Sequence, residues 1–266
     1  MNMCNKRITA KSLALVLLGC ILGMNACKKE EYVDRYSGIE CDFEGIDEAD
    51  GLLTGGQNWA SFGISRSGNT AMVVRDTVHS ADAAIRFAAD GDQTRSISTS
   101  CLISNENLFL RDQSIFSINC WIFIPSYSGN TELEILRLED AQTEDKRSSV
   151  SFYLDADGAL ALDRSEMGLS DLLQPQAQKT ALPTDQWVHL DIAYLAESRS
   201  RGYVKVWQDD ALVLEALSTE TLPKVSFHLS DSGNNYFSRV SFGILSNASG
   251  TGAIIFWDDL RIWNWG

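Results

Sequence analysis

Three acids lie close together in Glu132-Leu133-Glu134-Ile135-Leu136-Arg137-Leu138-Glu139. Cleaving a glycosidic bond takes two carboxyl groups about 5–10 Å apart, one acid and one base or nucleophile. Glu132 and Glu134 share a face of an extended strand, but the third acid comes only at Glu139. His189 has Asp191 on its own strand face, the start of a charge-relay arrangement, yet no Ser or Cys nucleophile is identifiable near the pair. His79 and His228 stand in unremarkable contexts, so a nucleophilic triad is hard to assemble. A different chemistry is open to the aromatics. Trp187, His189 and Asp191 alternate onto one outward face, and Tyr203, Lys205 and Trp207 onto what should be the same face of the next strand. Trp121 and Phe123 form a similar pair earlier in the chain. Flat rings take the apolar faces of sugars while neighbouring polar groups take the hydroxyls. The competing reading is structural, with loops covering these rings.

The elements that must position these residues are strands. Period-two alternation recurs, and helical periodicity is almost absent. In Ile115 to Ile124, Phe116, Ile118, Cys120, Ile122 and Ile124 fall on one face. Val150 to Leu154 and Ala159 to Asp163 flank an Asp157-Gly158 hairpin turn. Trp187 to Leu195 puts Val188, Leu190, Ile192 and Tyr194 inward. Tyr203 to Trp207, a turn at Asp209-Asp210, Leu212 to Leu214, Val240 to Leu245 and Ala253 to Trp263 follow. The patch from Ser165 to Leu173 is the most helix-like and is short enough for a loop. Many short strands with turns between them specify a sandwich or barrel.

The N-terminus has its own pattern. Lys6, Arg7 and Lys11 precede an apolar run from Leu13 to Leu22 that is too short to span a bilayer, which is the pattern of a cleaved signal. Gly19-Cys20 matches a lipobox locally, but Cys27 follows an apolar stretch of normal length and is directly followed by Lys28-Lys29-Glu30-Glu31. Cys27 is therefore taken as the lipidation site. Residues 1–26 read as a lipoprotein signal peptide, 27–38 as a lipidated tether and 39–266 as one domain. The five residues from Cys27 resemble the export signal of Bacteroidetes surface lipoproteins, which implies an outer-membrane anchor with the domain on the cell surface.

Removing residues 1–26 takes away three basic residues and no acid, moving the net charge from -14 to -17. Such a field repels nucleic acid and polyanions, leaving a neutral glycan as the expected partner and the lipid anchor as the only membrane contact. Of the remaining cysteines, Cys41, Cys101 and Cys120 allow at most one intrachain disulfide beside a lipidated Cys27. No Cys-x-x-Cys pair or Cys/His cluster is present, against zinc or redox chemistry.

Five segments resemble, in order and spacing, the concanavalin A-like jelly roll in its laminin G-like branch. They are Phe116 to Trp121, Leu154 to Leu160, Gln186 to Leu190, Val204 to Val213 and Phe256 to Ile262, with an Asp42-Phe43-Glu44-Gly45 opening like that of sugar-binding jelly rolls. The resemblance implies an all-β, two-sheet antiparallel sandwich whose members bind or cleave glycans. It also implies a structural calcium ion between the chain ends, with Asp42 or Glu44 and Asp258 as ligands. Alternation places Asp258 with Phe256, Leu260 and Ile262 on the core side, where its charge needs a cation, backbone amides or an arginine. Two enzyme families on this fold carry strand motifs to compare. Family 16 glycoside hydrolases carry Glu-x-Asp-x-x-Glu or Glu-x-Asp-x-Glu, which the acids at 132–139 resemble but do not complete. Alginate lyases carry Arg-Ser/Thr-Glu-Leu-Arg, of which Arg164-Ser165-Glu166-Met167-Gly168 resembles the first half; the second Arg and the Gln-x-His motif are missing.

The resulting expectation is a non-catalytic carbohydrate-binding surface lipoprotein using Trp121, Trp187, His189, Asp191, Tyr203 and Trp207, with Glu44 and Asp258 at the metal. The alternatives are a glycoside hydrolase or lyase on the same fold, or a structural, adhesin-like envelope protein. Paired carboxylates in a groove favour the enzyme; an aromatic strip without them favours binding.

Overall fold

Strict alternation builds the core. Phe116, Ile118, Cys120 and Ile122 are all buried, while Ser117, Asn119, Trp121 and Phe123 between them are half-exposed. This is the pattern of a strand lying on an apolar layer, as the sequence anticipates. The computed structural model describes residues 37–45, 59–64, 67–91, 101–105, 110–139, 149–222 and 236–265. They belong to a unit spanning Arg35–Gly266. Cys27, the signal segment and His228 lie outside the described residues.

The strands are β1 (Ser37–Cys41), β2 (Trp59–Ile64), β3 (Thr70–Val74), β4 (Ala84–Ala89), β5 (Cys101–Asn105), β6 (Leu110–Arg111), β7 (Ile115–Phe123) and β8 (Leu133–Glu139), then β9 (Ser149–Leu154), β10 (Leu160–Asp163), β11 (Trp187–Leu195), β12 (Gly202–Gln208), β13 (Ala211–Thr219), β14 (Tyr236–Phe237), β15 (Arg239–Asn247) and β16 (Ala253–Trp265). Two antiparallel sheets face each other. The larger runs β13-β12-β11-β7-β16-β4-β3, with β1 also paired to β16; the smaller runs β10-β9-β8-β15-β5-β2. The fold is thus the all-β two-sheet sandwich expected from the sequence. Three runs of consecutive strands, β11-β12-β13, β8-β9-β10 and β3-β4, are hydrogen-bonded neighbours, and between these runs the chain crosses from one sheet to the other.

Between the sheets, Phe242 of the smaller sheet meets Phe87 edge-on at 5.8 Å and Trp257 at 5.2 Å. All three rings are buried, and burying a side chain of this size contributes about 2–3 kcal/mol. Cys120 is a core residue, its thiol pushed up by burial and by Asp191. The turn between β12 and β13 has Asp209 (φ 48°) and Asp210 (φ 65°) both left-handed, the conformation a two-residue hairpin of matching twist needs.

Two bulges change which side chains share a face. In β16 the pairing with β7 slips between Asp258 and Arg261, and Asp259 adopts φ 48°. Trp257 pairs with core Ile122 and Asp258 with outward Trp121, while Leu260 and Ile262 return to the core. Asp258 therefore does not share a face with Leu260 and Ile262, as simple alternation had placed it; the extra residue at Asp259 turns it outward. In β8 the slip falls between Glu134 and Leu136. Glu134 pairs with Tyr153, Arg137 with Ser151 and Glu139 with Ser149, so all three turn to the face away from the core.

Candidate functional site: two outer faces

On the larger sheet, Trp121 pairs with His189, Phe123 with Trp187, Asp191 with both Asn119 and Trp207, and Leu195 with Tyr203. The aromatics anticipated from the sequence do share one outer face. They are half-buried rather than open. Their cover comes from the loop before β4. His79 lies flat on Trp121, with ring centroids 3.7 Å apart and planes within 13°, and stands edge-on to Trp187 at 5.9 Å. His189 is tilted against Trp121 at 4.9 Å, and Phe123 against Trp187 at 5.6 Å. Trp207 lies one strand further out, beside Asp191, and Tyr203 pairs with exposed Leu217 at the sheet edge. Burial pushes the Asp191 carboxyl above its ordinary value; His189 partly offsets this and Asp210 adds to it.

The loop carrying His79 is fixed by the two carboxylates assigned to calcium. Glu44 Oε1 accepts the amides of Asp82 (2.7 Å) and Ala83 (2.8 Å). Asp258 Oδ2 accepts those of His79 (2.9 Å) and Ser80 (3.1 Å), and its Oδ1 that of Asp259 (2.8 Å). The His79 Nδ1 is 3.1 Å from Asp259 Oδ2. The structure thus brings Glu44 and Asp258 to one loop from the two ends of the domain. Asp258 is fully buried, and burial raises its carboxyl above the ordinary range, against the pull of the three amides. Those amides answer the charge that the sequence left unpaired. Among the described residues no group of three His, Cys, Asp or Glu side chains could hold a metal, so oxygen ligands there would have to be largely carbonyls.

The outer face of the smaller sheet is different. One row crosses five strands as Asp163, Ser151, Arg137, Ser241 and Ser104. Beside it run Ala161, Tyr153, Glu134 and Ser246, and then Ser149, Glu139 and Arg239. The serines of these rows and Tyr153 are buried although they face away from the core. A buried face of small hydroxyl residues is a floor, since apolar side chains would normally fill such a place. At its centre the Arg137 guanidinium donates Nε to Glu134 Oε1 and Nη2 to Oε2, each at 2.7 Å, and Nε reaches Ser151 Oγ at 3.3 Å. Burial alone would lower the guanidinium pKa, but Glu134 and Glu139 hold it above its ordinary value. Arg239 Nη1 meets Glu139 at 3.3 Å, the Tyr153 hydroxyl donates to Asp171 at 2.9 Å, and Ser104 and Ser241 share a 2.7 Å bond. A small pocket opens among Glu132, Glu134, Ser151, Tyr153, Asp163 and Ser246.

Glu134 was legible as a candidate; Arg137, Tyr153, Asp171 and the serine row were not singled out. Their signal is the alternation of small polar with large apolar residues in Ser149-Val150-Ser151-Phe152 and Val240-Ser241-Phe242-Gly243. Both enzyme motifs now have positions. Counting Glu-x-Asp-x-x-Glu from Glu132 places Arg137, not an acid, third. The lyase-like Arg164 is buried, and its guanidinium is spent on Thr219 Oγ1, the Glu220 carbonyl and the Ser170 carbonyl at 2.7–3.0 Å. Glu166 sits exposed in a short 3-10 turn, Ser165–Met167, rather than on a strand. Arg164 ties a loop to the end of β13 and is structural.

No protein-family model matches the sequence, and no curated sequence is recognisably similar to it. Solved structures do match. The fold is similar to the cellulose-induced protein Cip1, 15% identical over 84% of this chain and 96% of that chain, with a TM-score of 0.59. An endo-β-1,4-glucuronan lyase from the fungus Trichoderma reesei matches at 10% identity over 85% and 94%, TM-score 0.58. The alginate lyase Aly36B matches at 9% over 85% and 96%, TM-score 0.53. At these identities the likeness is one of fold.

Proposed function

We propose that this chain is a non-catalytic carbohydrate-binding protein, and that the floor of the smaller sheet takes a neutral glycan. The observation that carries the reading is the Glu134–Arg137 clamp at the centre of a buried hydroxyl floor. A braced carboxylate and guanidinium side by side offer an acceptor and donors to neighbouring sugar hydroxyls, and the serines keep the floor low. The same clamp argues against turnover. It balances the charge of the arginine, leaving little to neutralise a uronate, and it sets a cation where the hydrolase spacing requires its third acid. The described histidines, His79 and His189, lie on the other sheet. Acids outnumber arginines among the floor residues, which disfavours a polyanion. The polysaccharide names of the fold neighbours support a carbohydrate ligand; its neutrality rests on the charge of the floor, since the two lyases are named for polyuronates. The test is a glycan panel offered to the full chain. Binding of neutral oligosaccharides without new reducing ends or unsaturated products is expected; turnover that disappears with Glu134→Gln overturns the reading.

The same proposal includes export and lipidation at Cys27, with the domain held at the outer membrane. Fatty-acid probe labelling should vanish in Cys27→Ser and persist in Cys20→Ser; the reverse would move the anchor. It also includes a structural calcium ion held by Glu44, Asp258 and loop carbonyls. A chelator should then lower the melting temperature of the native protein and leave Asp258→Ala unchanged. Identical native melts with chelator and with excess calcium would remove the ion.

A further inference from the structure

We infer that the outer face of the larger sheet is a second glycan surface, one that takes a polysaccharide chain rather than a short sugar. The inference uses the ligand class proposed above but rests on other residues. Trp187, His189 and Asp191 stand on β11, and Trp207 stands opposite Asp191 on β12. Trp187 and Trp207 are thus separated by four residues along the strand direction and one strand across, about 14 Å at the backbone. That is several ring widths, so two stacking positions on this face are filled only by a chain. Asp191 and His189 lie between them and offer polar partners to the hydroxyls of the intervening units.

Trp121 takes a different role from the one its sequence position suggests. His79 already lies on its ring at 3.7 Å, the place a sugar would occupy. Two carboxylates hold His79 there, Asp258 through its amide and Asp259 through Nδ1. Trp121 and His79 therefore form a bracket beside Trp187 and His189, and the rings that meet ligand are Trp187 and Trp207. Trp187, half-buried and braced by His79 and Phe123, loses little freedom on binding, which favours it as the anchor of the platform. The occupant is a neutral polysaccharide. Exposed Asp209 and Asp210 in the adjoining turn repel a polyanion, whereas the hydroxyls of a neutral chain match Asp191 and His189.

The test is affinity electrophoresis of the detergent-solubilised full chain in gels cast with barley β-glucan, xyloglucan or galactomannan. Titration calorimetry with the corresponding disaccharides, too short to bridge the two rings, runs in parallel. Retardation of the native protein by at least one polymer is expected. Trp187→Ala and Trp207→Ala should each weaken it on the order of five- to tenfold, the loss of one stacking partner. Trp207→Tyr should retain most of it, which separates loss of the ring from damage to the fold. Disaccharide binding at the floor should be unchanged in all three variants. The inference is overturned if no polymer retards the native protein, or if both Trp→Ala variants are retarded like the native chain. It is also overturned if the two Trp→Ala variants instead abolish a concentration-dependent dimer, which would give the face to a second copy. Loss of disaccharide binding in Arg137→Met, with polymer retardation intact, bears on the floor alone.

Discussion

The two outer faces of this sandwich obey the same alternation rule and reach opposite results. On the larger sheet the outward positions carry rings, braced by stacking and covered in part by His79. On the smaller sheet they carry serines, which are buried all the same, and a charge pair that is partly exposed. The first face gets its order from dispersion and ring geometry, which tolerate truncation. The second gets it from a partly buried, bidentate ion pair, which does not. Small outward residues leave room for a pocket on the smaller sheet, whereas the rings of the larger sheet fill their face.

The largest expected effect breaks the floor from one side. Arg137→Met leaves the Glu134 carboxylate without its partner and should destabilise the protein by about 3 kcal/mol in urea unfolding. Adding Glu134→Gln should restore a large part of that loss, because the uncompensated charge goes with it. A single-variant cost under about 1 kcal/mol would mean that the pair is solvated and that the contrast between the faces fails. Trp207→Ala, on the other face, should cost about 1–2 kcal/mol, in keeping with partial burial of one large ring. His79→Ala should cost less, about 0.5–1 kcal/mol, and should change the intrinsic fluorescence as one face of Trp121 is uncovered. Unchanged fluorescence would remove the stack.

The smallest effect is a pH contrast. At the β9–β10 turn, burial pushes the Asp155 carboxyl up, but Lys179 (2.7 Å) and the amides of Asp157 and Ala159 outweigh it and hold it below the ordinary 3.8. Its folded pKa is depressed, so its contribution to stability is present above 3.8 and is lost as pH falls through the lower folded value. Asp191, pushed up by burial, has the opposite sign. Its contribution is complete below 3.8 and is lost as pH rises through the higher folded value. Asp155→Asn should therefore flatten the stability curve below 3.8, and Asp191→Asn should flatten it just above. One common window for both variants would contradict the two environments.

The strands were legible because each carries its own alternation. Trp187–Leu195 begins and ends where the pattern places it, and the buried set Val188, Leu190, Ile192 and Tyr194 is the anticipated one. The Asp209-Asp210 turn was legible for the same local reason. The aromatic face followed from pairing neighbouring strands in register. The floor was not legible, because it depends on a bulge. Glu139 lies five residues after Glu134 and on a regular strand would point the other way; the extra residue Ile135 brings both, with Arg137, onto one face. The same applies to Asp258, whose outward turn needs Asp259 in a left-handed conformation that a non-glycine residue rarely adopts. The capping of Trp121 by His79 joins residues far apart in the chain, a contact that alternation cannot reveal.

The most direct test of binding without cleavage is a single saturation-transfer NMR experiment on the full chain with neutral hexasaccharides. Saturation should pass from protein to sugar-ring protons of a bound hexasaccharide while its anomeric signals stay constant over a day. New reducing-end anomeric signals, or the vinylic proton of an unsaturated product, would contradict the account, as would the absence of any transfer across the panel.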